Sequence, residues 1–146
     1  MKTRTFEKAR TQDFVVVFET GDEVIGGLTE FAKTNQIQSG FFFGLGAFQR
    51  ATLAFFNLDT KEYERLPFDD QVEVMSITGN IAWHKGEPKI HAHAVVGKRD
   101  GTAHGGHVID AFVRPTLEVF VSISSTKIDR RLDNATNLPL IDLIIE

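Results

Sequence analysis

The stretch Lys89-Ile-His-Ala-His-Ala-Val-Val-Gly-Lys-Arg-Asp-Gly-Thr-Ala-His-Gly-Gly-His107 decides the fold of this chain. Its first half, up to Val96, is rich in apolar residues and predicts a β-strand. Asp100-Gly101 is a strong hairpin signal, because glycine adopts the backbone angles of a tight turn at little cost. No helical pattern separates the two halves, so the stretch predicts an antiparallel hairpin.

Similar strand patterns lie on both sides of this hairpin. We predict about nine short strands, beginning with Thr3–Lys8 and Phe14–Phe18 and ending with Val108–Val113 and Thr116–Ser124. The run Phe14–Phe18 is continuously apolar, which is typical of a strand buried on both faces. Strands that no helices separate argue against a doubly wound nucleotide-binding sheet.

One segment has a convincing helical pattern. Val24 and Leu28 begin a series of apolar residues at helical spacing, which predicts a helix from Glu23 to about Asn35, capped by Asp22. The pair Gly26-Gly27 lowers helix propensity by roughly 1 kcal/mol per residue, and close packing on a sheet would explain it. The predicted fold class is α+β, a largely antiparallel sheet or open barrel with one main helix against it.

The composition favours one ordinary globular domain over residues 1–146. Hydrophobic residues make up 42% and charged residues 25% of the chain, close to the globular average. The C-terminal tail, about 127–146, is polar at first but contains apolar residues, so we expect it to dock on the domain. The 13 phenylalanines fit a packed sheet, or a subunit that buries more surface in an oligomer.

Several classes of protein are excluded or disfavoured. The chain has no cysteine, which excludes disulfides, cysteine-ligated zinc and iron–sulfur clusters. The absence of cysteine also favours a reducing, cytoplasmic location. No apolar run approaches the ~18 residues that a membrane helix needs, and no signal-peptide pattern follows the basic N-terminus. The net charge of −4 argues against duplex binding by phosphate neutralisation alone.

All five histidines lie between His84 and His107, a window of 24 residues. His91 and His93 are two apart on a predicted strand, so their side chains point to the same face, roughly 6.5 Å apart. Two imidazoles at that spacing can share one metal ion, because zinc–nitrogen bonds are about 2.0–2.1 Å long.

His107 joins this pair only if the hairpin register allows it. A two-residue turn with an uninterrupted register sets His107 opposite Ala94, on the wrong face. One extra residue in the second strand corrects this, and Gly105-Gly106 is the natural place for such a β-bulge. The predicted bulge sets His107 opposite Val95 and diagonally beside His93.

Two interpretations of the three histidines stay open. They hold a divalent metal, with zinc in an open catalytic geometry favoured and nickel, iron or manganese tolerated, or they form a polar interface or hydrogen-bonded cluster. His84 and His104 lie near predicted turns and are expected to face solvent. Glu118, the one acid in an apolar strand, is a candidate general base, a partner that orients a metal-bound histidine, or a charge on an exposed face.

Several motifs, in order, resemble the PPC domain (plants and prokaryotes conserved domain), which stands alone in bacteria and archaea and follows AT-hooks in plant nuclear proteins. The combination of G-N-I, H-x-H-A and G-G-H is its most specific part. The matching pieces cover roughly residues 10 to 125: Ser39-Gly40, Gly44-Leu-Gly46-Ala47, Ala54-Phe-Phe56, Tyr63, Val72 to Ile81, Gly86 to Ala94, Gly101, Gly105-Gly-His107 and Thr116-Leu-Glu-Val119.

The resemblance implies an α+β fold, a homotrimer and a metal site at His91, His93 and His107. Standalone members are described as DNA-binding proteins by analogy, but this chain has no Arg-Gly-Arg core of an AT-hook. The fold is also similar to that of acetolactate decarboxylase, a lyase whose metal is held by three histidines in an H-x-H…H arrangement.

Two hypotheses of function follow. The first is a homotrimeric module that binds a divalent metal, expected to be zinc, or a small ligand, with a regulatory or DNA-associated role. The second is a zinc-dependent lyase or hydrolase in which the metal polarises a carbonyl or activates water, with Glu118 or Arg50 assisting. No strong acid–base pair accompanies the histidines, which favours the first hypothesis and leaves catalytic residues unassigned.

Overall fold

The structure of the protein is a computed structural model that describes residues 11–143. This part of the chain contains one α-helix and eight β-strands in a mostly antiparallel sheet, so the fold is α+β, as predicted. The elements are β1 (Thr11–Glu19), α1 (Val24–Thr34), β2 (Ser39–Asn57), β3 (Glu62–Phe68), β4 (Val72–His84), β5 (Glu87–Gly97), β6 (Ala103–Ser124), β7 (Asp129–Leu132) and β8 (Pro139–Asp142).

Two long strands, β2 and β6, organise the sheet. They pair antiparallel with each other from Ser39–Ser124 to Ala54–His107. The strand order is β3-β2-β6-β5-β4-β7-β8, with β1 paired to β6 and an additional pairing between β2 and β4. Within the described residues β1 and β3 each pair along one side only, and the sheet is not a closed barrel.

The strands are fewer and longer than the nine predicted. The segments around Phe41 and Arg50 are parts of one strand, β2, and the predicted break at Arg114-Pro115 lies inside β6. The pairing register between β2 and β6 shifts at Arg114-Pro115. Proline is tolerated there because regular hydrogen bonding between the two strands is already interrupted, so its missing N–H costs little. The glycine and proline signals therefore mark irregularities within strands. The predicted strand Thr3–Lys8 lies outside the described residues.

Helix α1 packs against the sheet. Its N-cap is Glu23, not the predicted Asp22, because the Asp22 carboxylate instead accepts the backbone N–H of Glu19. A Cβ on Gly27 would lie 2.5 Å from the Phe18 ring, which explains the glycine by close packing. No helix in residues 11–143 is long and apolar enough to cross a membrane. Three helix side chains are fully buried in the core: Val24, Leu28 and Ala32.

Strand β1 departs from its predicted burial. The run Phe14–Phe18 predicts burial on both faces, yet Val15 is 60% exposed and Val17 is 56% exposed. Phe18 is buried and Phe14 packs against the core from the other face. The prediction was wrong for one face of β1, which is covered by nothing in the described part of the chain.

The segment after Lys127 returns to the sheet. Strands β7 and β8 form an antiparallel hairpin, and Asp129 of β7 pairs in parallel with Trp83 near the end of β4. Arg130 of β7 donates a hydrogen bond from Nη2 to Oδ1 of Asn80 in β4. The C-terminal hairpin is thereby attached to the edge of β4.

Candidate metal centre

The β5–β6 hairpin places His107 directly opposite His93. Their pairing continues to the turn without a register shift, so the bulge predicted at Gly105-Gly106 is absent and the predicted pairing of His107 with Val95 is wrong. Val95 and His93 are two residues apart, so both registers keep His107 on the face that carries His91. The predicted clustering of the three side chains is therefore observed, for a different local reason.

The extra residue lies in the turn. Gly101 adopts a φ of +81°, and the Lys98 N–H donates to the Thr102 carbonyl over 2.9 Å. A glycine at a positive φ after a tight turn is typical of such longer hairpin loops. Gly106 serves another purpose, because a Cβ there would lie 2.8 Å from the Ala54 carbonyl oxygen of β2.

The three imidazoles form a compact triangle. Their ring centroids are 5.1 Å apart for His91–His93, 5.2 Å for His91–His107 and 5.3 Å for His93–His107. One ring nitrogen of each lies within 4.8 Å of the other two, and no carboxylate in the described residues joins this group. Nitrogens bound to one tetrahedral zinc ion are about 3.4 Å apart, so small side-chain shifts would suffice.

Burial favours the neutral form of His91 and His107. The pKa of His107 is lowered to about 4, chiefly by desolvation and to a smaller extent by repulsion from His91, His93 and Lys89. Desolvation also lowers the pKa of His91, with added repulsion from Arg130, His93 and Lys89. Neutral imidazole is the form that binds metal, so the cluster is suited to metal binding near neutral pH.

The surroundings of His107 also fit a metal ion. Its Nδ1 is buried without a hydrogen-bond partner in the described structure, which costs roughly 1–3 kcal/mol unless a ligand satisfies it. The ring stacks on Tyr63 of β3, with centroids 4.8 Å apart and planes inclined by 24°. Stacking restricts the ring, and a restricted imidazole loses less entropy when it binds a metal.

Two residues suggested as assistants lie elsewhere. Glu118 is exposed on β6 opposite Leu45 and Val17, three strand spacings from His93 across β2 and β4. Three spacings are about 14 Å, which is too far for a hydrogen bond to an imidazole. The Arg50 guanidinium lies over the Phe112 ring, 3.6 Å from its centroid.

The other two histidines do not join the cluster. His104 is exposed near the hairpin turn, as predicted. His84, predicted to face solvent, is half-buried because its Nδ1 lies 3.2 Å from the Arg130 carbonyl oxygen of the C-terminal hairpin. Sequence reasoning found no role for Tyr63, Lys89 or Arg130 at this site. Arg130 in particular reaches the site from the C-terminal hairpin, and no spacing in the sequence connects it to the histidines.

The family model of the Plants and Prokaryotes Conserved (PCC) domain, the PPC domain named above, matches residues 6–125. The chain belongs to this family. The resemblance inferred from the G-N-I, H-x-H-A and G-G-H motifs is thus confirmed. No curated protein sequence matches the chain.

Three solved structures of similar proteins cover nearly the whole PPC chain. A metal-containing protein from Archaeoglobus fulgidus is 29% identical with a TM-score of 0.88, covering 97% of this chain and 99% of that one. A PPC protein from Pyrococcus horikoshii is 24% identical with a TM-score of 0.87, covering 97% and 100%. A protein from Bacteroides thetaiotaomicron described as "putative dna binding" is 30% identical with a TM-score of 0.86, covering 92% and 96%.

The fold is also shared with a lyase. Acetolactate decarboxylase from Bacillus subtilis is 12% identical with a TM-score of 0.57. The match covers 83% of this chain and 56% of the decarboxylase. At this identity the likeness concerns the fold alone.

We predict that acid destabilises the metal-free protein partly through His107. Its pKa is about 4 when folded and 6.5 in an ordinary environment, so the unfolded chain binds more protons between these values and stability falls as the pH drops. Urea unfolding of wild type and His107→Gln from pH 7.5 to 4 measures this. The stability advantage of wild type should shrink with acid, whereas parallel pH curves would contradict the prediction.

Proposed function

We propose that this PPC protein is a homotrimeric module that binds one divalent metal ion per chain at His91, His93 and His107, with a regulatory role. The observation that supports it best is the convergence of three ring nitrogens within 4.8 Å. Zinc is the expected ion, because three neutral imidazoles with an open fourth position suit it. The Archaeoglobus fulgidus relative is described as a metal-containing protein, which supports a metal ion here without indicating which one.

The metal site is tested by elemental analysis and by titration with zinc. Wild type should bind one zinc ion per chain, and His93→Ala should lower affinity by more than the ~10–100-fold typical of changes around the ligands. His104→Ala is the matched control, since His104 is an exposed histidine of the same hairpin, and should bind zinc like wild type. Equal zinc binding by wild type and His93→Ala would remove the assignment.

The proposed trimer rests on an exposed apolar face. On this face the rings of Phe43 and Phe120 stack 5.4 Å apart at an angle of 10°. Monomeric proteins rarely expose contiguous apolar patches larger than a few hundred Å². The residues of this apolar face lie side by side on β1, β6 and β2, and each is 45–60% exposed: Val15, Val17, Phe41, Phe43, Leu45 and Phe120. We assign other copies of the chain to this face, as the family resemblance implies.

Sedimentation velocity tests the assembly. Wild type should sediment at three times the chain mass of 16.3 kDa, and Phe43→Asp should be monomeric because it places a charge in the apolar face. Leu58→Asp is the control, since Leu58 is 71% exposed in the turn after β2 and lies outside the face. A monomeric wild type, or a Phe43→Asp variant of unchanged mass, would contradict the trimer.

The regulatory role would include DNA, as the description of the Bacteroides relative suggests. The chain carries a net charge of −4, so phosphate contacts could come only from local basic groups. We expect weak duplex binding that fades as salt rises from 20 to 200 mM, measured by fluorescence anisotropy. No binding at the lowest salt, where the phosphate attraction is strongest, would end the DNA-associated part of the proposal.

The second candidate function is a metal-dependent lyase or hydrolase. It is favoured by the absence of a carboxylate ligand among the described residues, because an ion held by three neutral ligands is a strong Lewis acid. When bound, the metal would polarise a carbonyl or activate water. Turnover of acetolactate or of an activated ester by the zinc-loaded protein, lost in His93→Ala, would favour the enzyme. If the zinc-loaded wild type turns these substrates over no faster than His93→Ala, the enzyme is contradicted and the metal-binding module stays the proposed function.

A further inference from the structure

A cavity of about 150 Å³ adjoins the three-histidine cluster. Its walls come from three parts of the fold: His91, His107 and Lys89 on β5 and β6, Tyr63 on β3, and the C-terminal hairpin. The hairpin supplies Arg130 and an apolar wall of Leu138, Pro139 and Leu140. A cavity of this size is well below the ~300–1,000 Å³ of sites for drug-sized molecules, so it fits only a small ligand.

Arg130 is the unusual group in this cavity. It is only 9% exposed, and no carboxylate in residues 11–143 forms an ion pair with it. Its guanidinium donates to the Pro139 carbonyl and the Asn80 side chain, which uses two of its five N–H groups. Its Nε is buried without a partner. A buried cation without a counter-ion is costly, and a bound anion would supply that counter-ion.

The histidine cluster adds to this charge imbalance when it holds a metal. Three neutral imidazoles leave the full +2 charge of a divalent ion uncompensated, and Lys89 adds a further positive charge at the rim. An anionic oxygen at the open metal position would neutralise part of this charge. The cationic groups therefore lie at two sides of the same cavity, with the apolar wall beside them.

We propose that this cavity binds a short aliphatic carboxylate, anchored by Arg130, with an oxygen directed to the metal position. The part concerning the metal rests on the function proposed above, whereas the Arg130 contact does not. The guanidinium fork can pair with two oxygens of a carboxylate or of a phosphate. A carboxylate is favoured because the apolar wall of Leu138 and Leu140 suits a hydrocarbon chain. Asn80 is a positioning residue, since its side-chain oxygen orients the guanidinium.

Calorimetric titration tests the proposal with three probes: 2-oxobutanoate, butanoate and inorganic phosphate. Zinc-loaded wild type should bind one 2-oxobutanoate per chain and bind phosphate more weakly. Arg130→Met should weaken 2-oxobutanoate at least ~10-fold, the usual cost of losing hydrogen bonds to a charged group. Arg131→Met is the matched control, because Arg131 is the exposed neighbour on β7 that pairs with Asp142, and should bind like wild type.

Two outcomes overturn the proposal: no binding of 2-oxobutanoate to zinc-loaded wild type, or equal affinity of folded Arg130→Met and wild type. Phosphate binding as tight as 2-oxobutanoate overturns the carboxylate assignment. If Arg130→Met does not fold, Leu138→Trp decides, because it keeps the guanidinium and fills the cavity. Loss of binding in that variant supports the site, and unchanged binding overturns it.

Metal-free protein separates this proposal from the metal site. Metal-free wild type should bind butanoate through Arg130, more weakly than the loaded protein binds 2-oxobutanoate. If the chain takes up no zinc, the proposed metal function fails while this titration still decides the anion site. Butanoate binding that depends on Arg130 then supports the site, and absence of such binding overturns it.

Discussion

Strands β2 and β6 hydrogen-bond to each other along most of their length, and the candidate site depends on that ladder. At one end the ladder holds His107 beside Ala54, where Gly106 lets the β2 backbone approach closely. At the other end β2 also pairs with β4, which in turn pairs with β5 and so positions His91 and His93. Each histidine is therefore held by backbone hydrogen bonds of the sheet, and the fold itself sets the triangle of imidazoles.

The electrostatics of the site follow from what surrounds the imidazoles. Burial holds the pKa of His107 at about 4, and the nearby charged groups, Lys89 and Arg130, are cations. A site with neutral ligands and cationic neighbours disfavours protons and favours anions. The same surroundings thus support both a metal ion and a negatively charged ligand.

The exposed apolar face and the histidine cluster occupy one surface of the sheet. A single row of paired residues runs from Val15 through Phe120, Phe43 and Thr78 to His93. In the proposed trimer the covered face would therefore reach the edge of the candidate metal site. The continuous apolar run in β1 fits this arrangement, since the side that is exposed in the single chain is as hydrophobic as the buried one.

The sequence by itself determined most of the strand-forming segments, the single helix and the shared face of His91 and His93, because these depend on side-chain periods of 2 and 3.6 residues within one element. It also placed His107 on that face, although the predicted bulge was wrong, because a shift of two residues preserves the face of a strand. Only the tertiary structure decided the extra residue in the hairpin turn, the distance of Glu118 and the arrival of Arg130. These three features depend on which segments become neighbours in the folded chain. The periodicity of side chains within one segment does not indicate which distant segment it will contact.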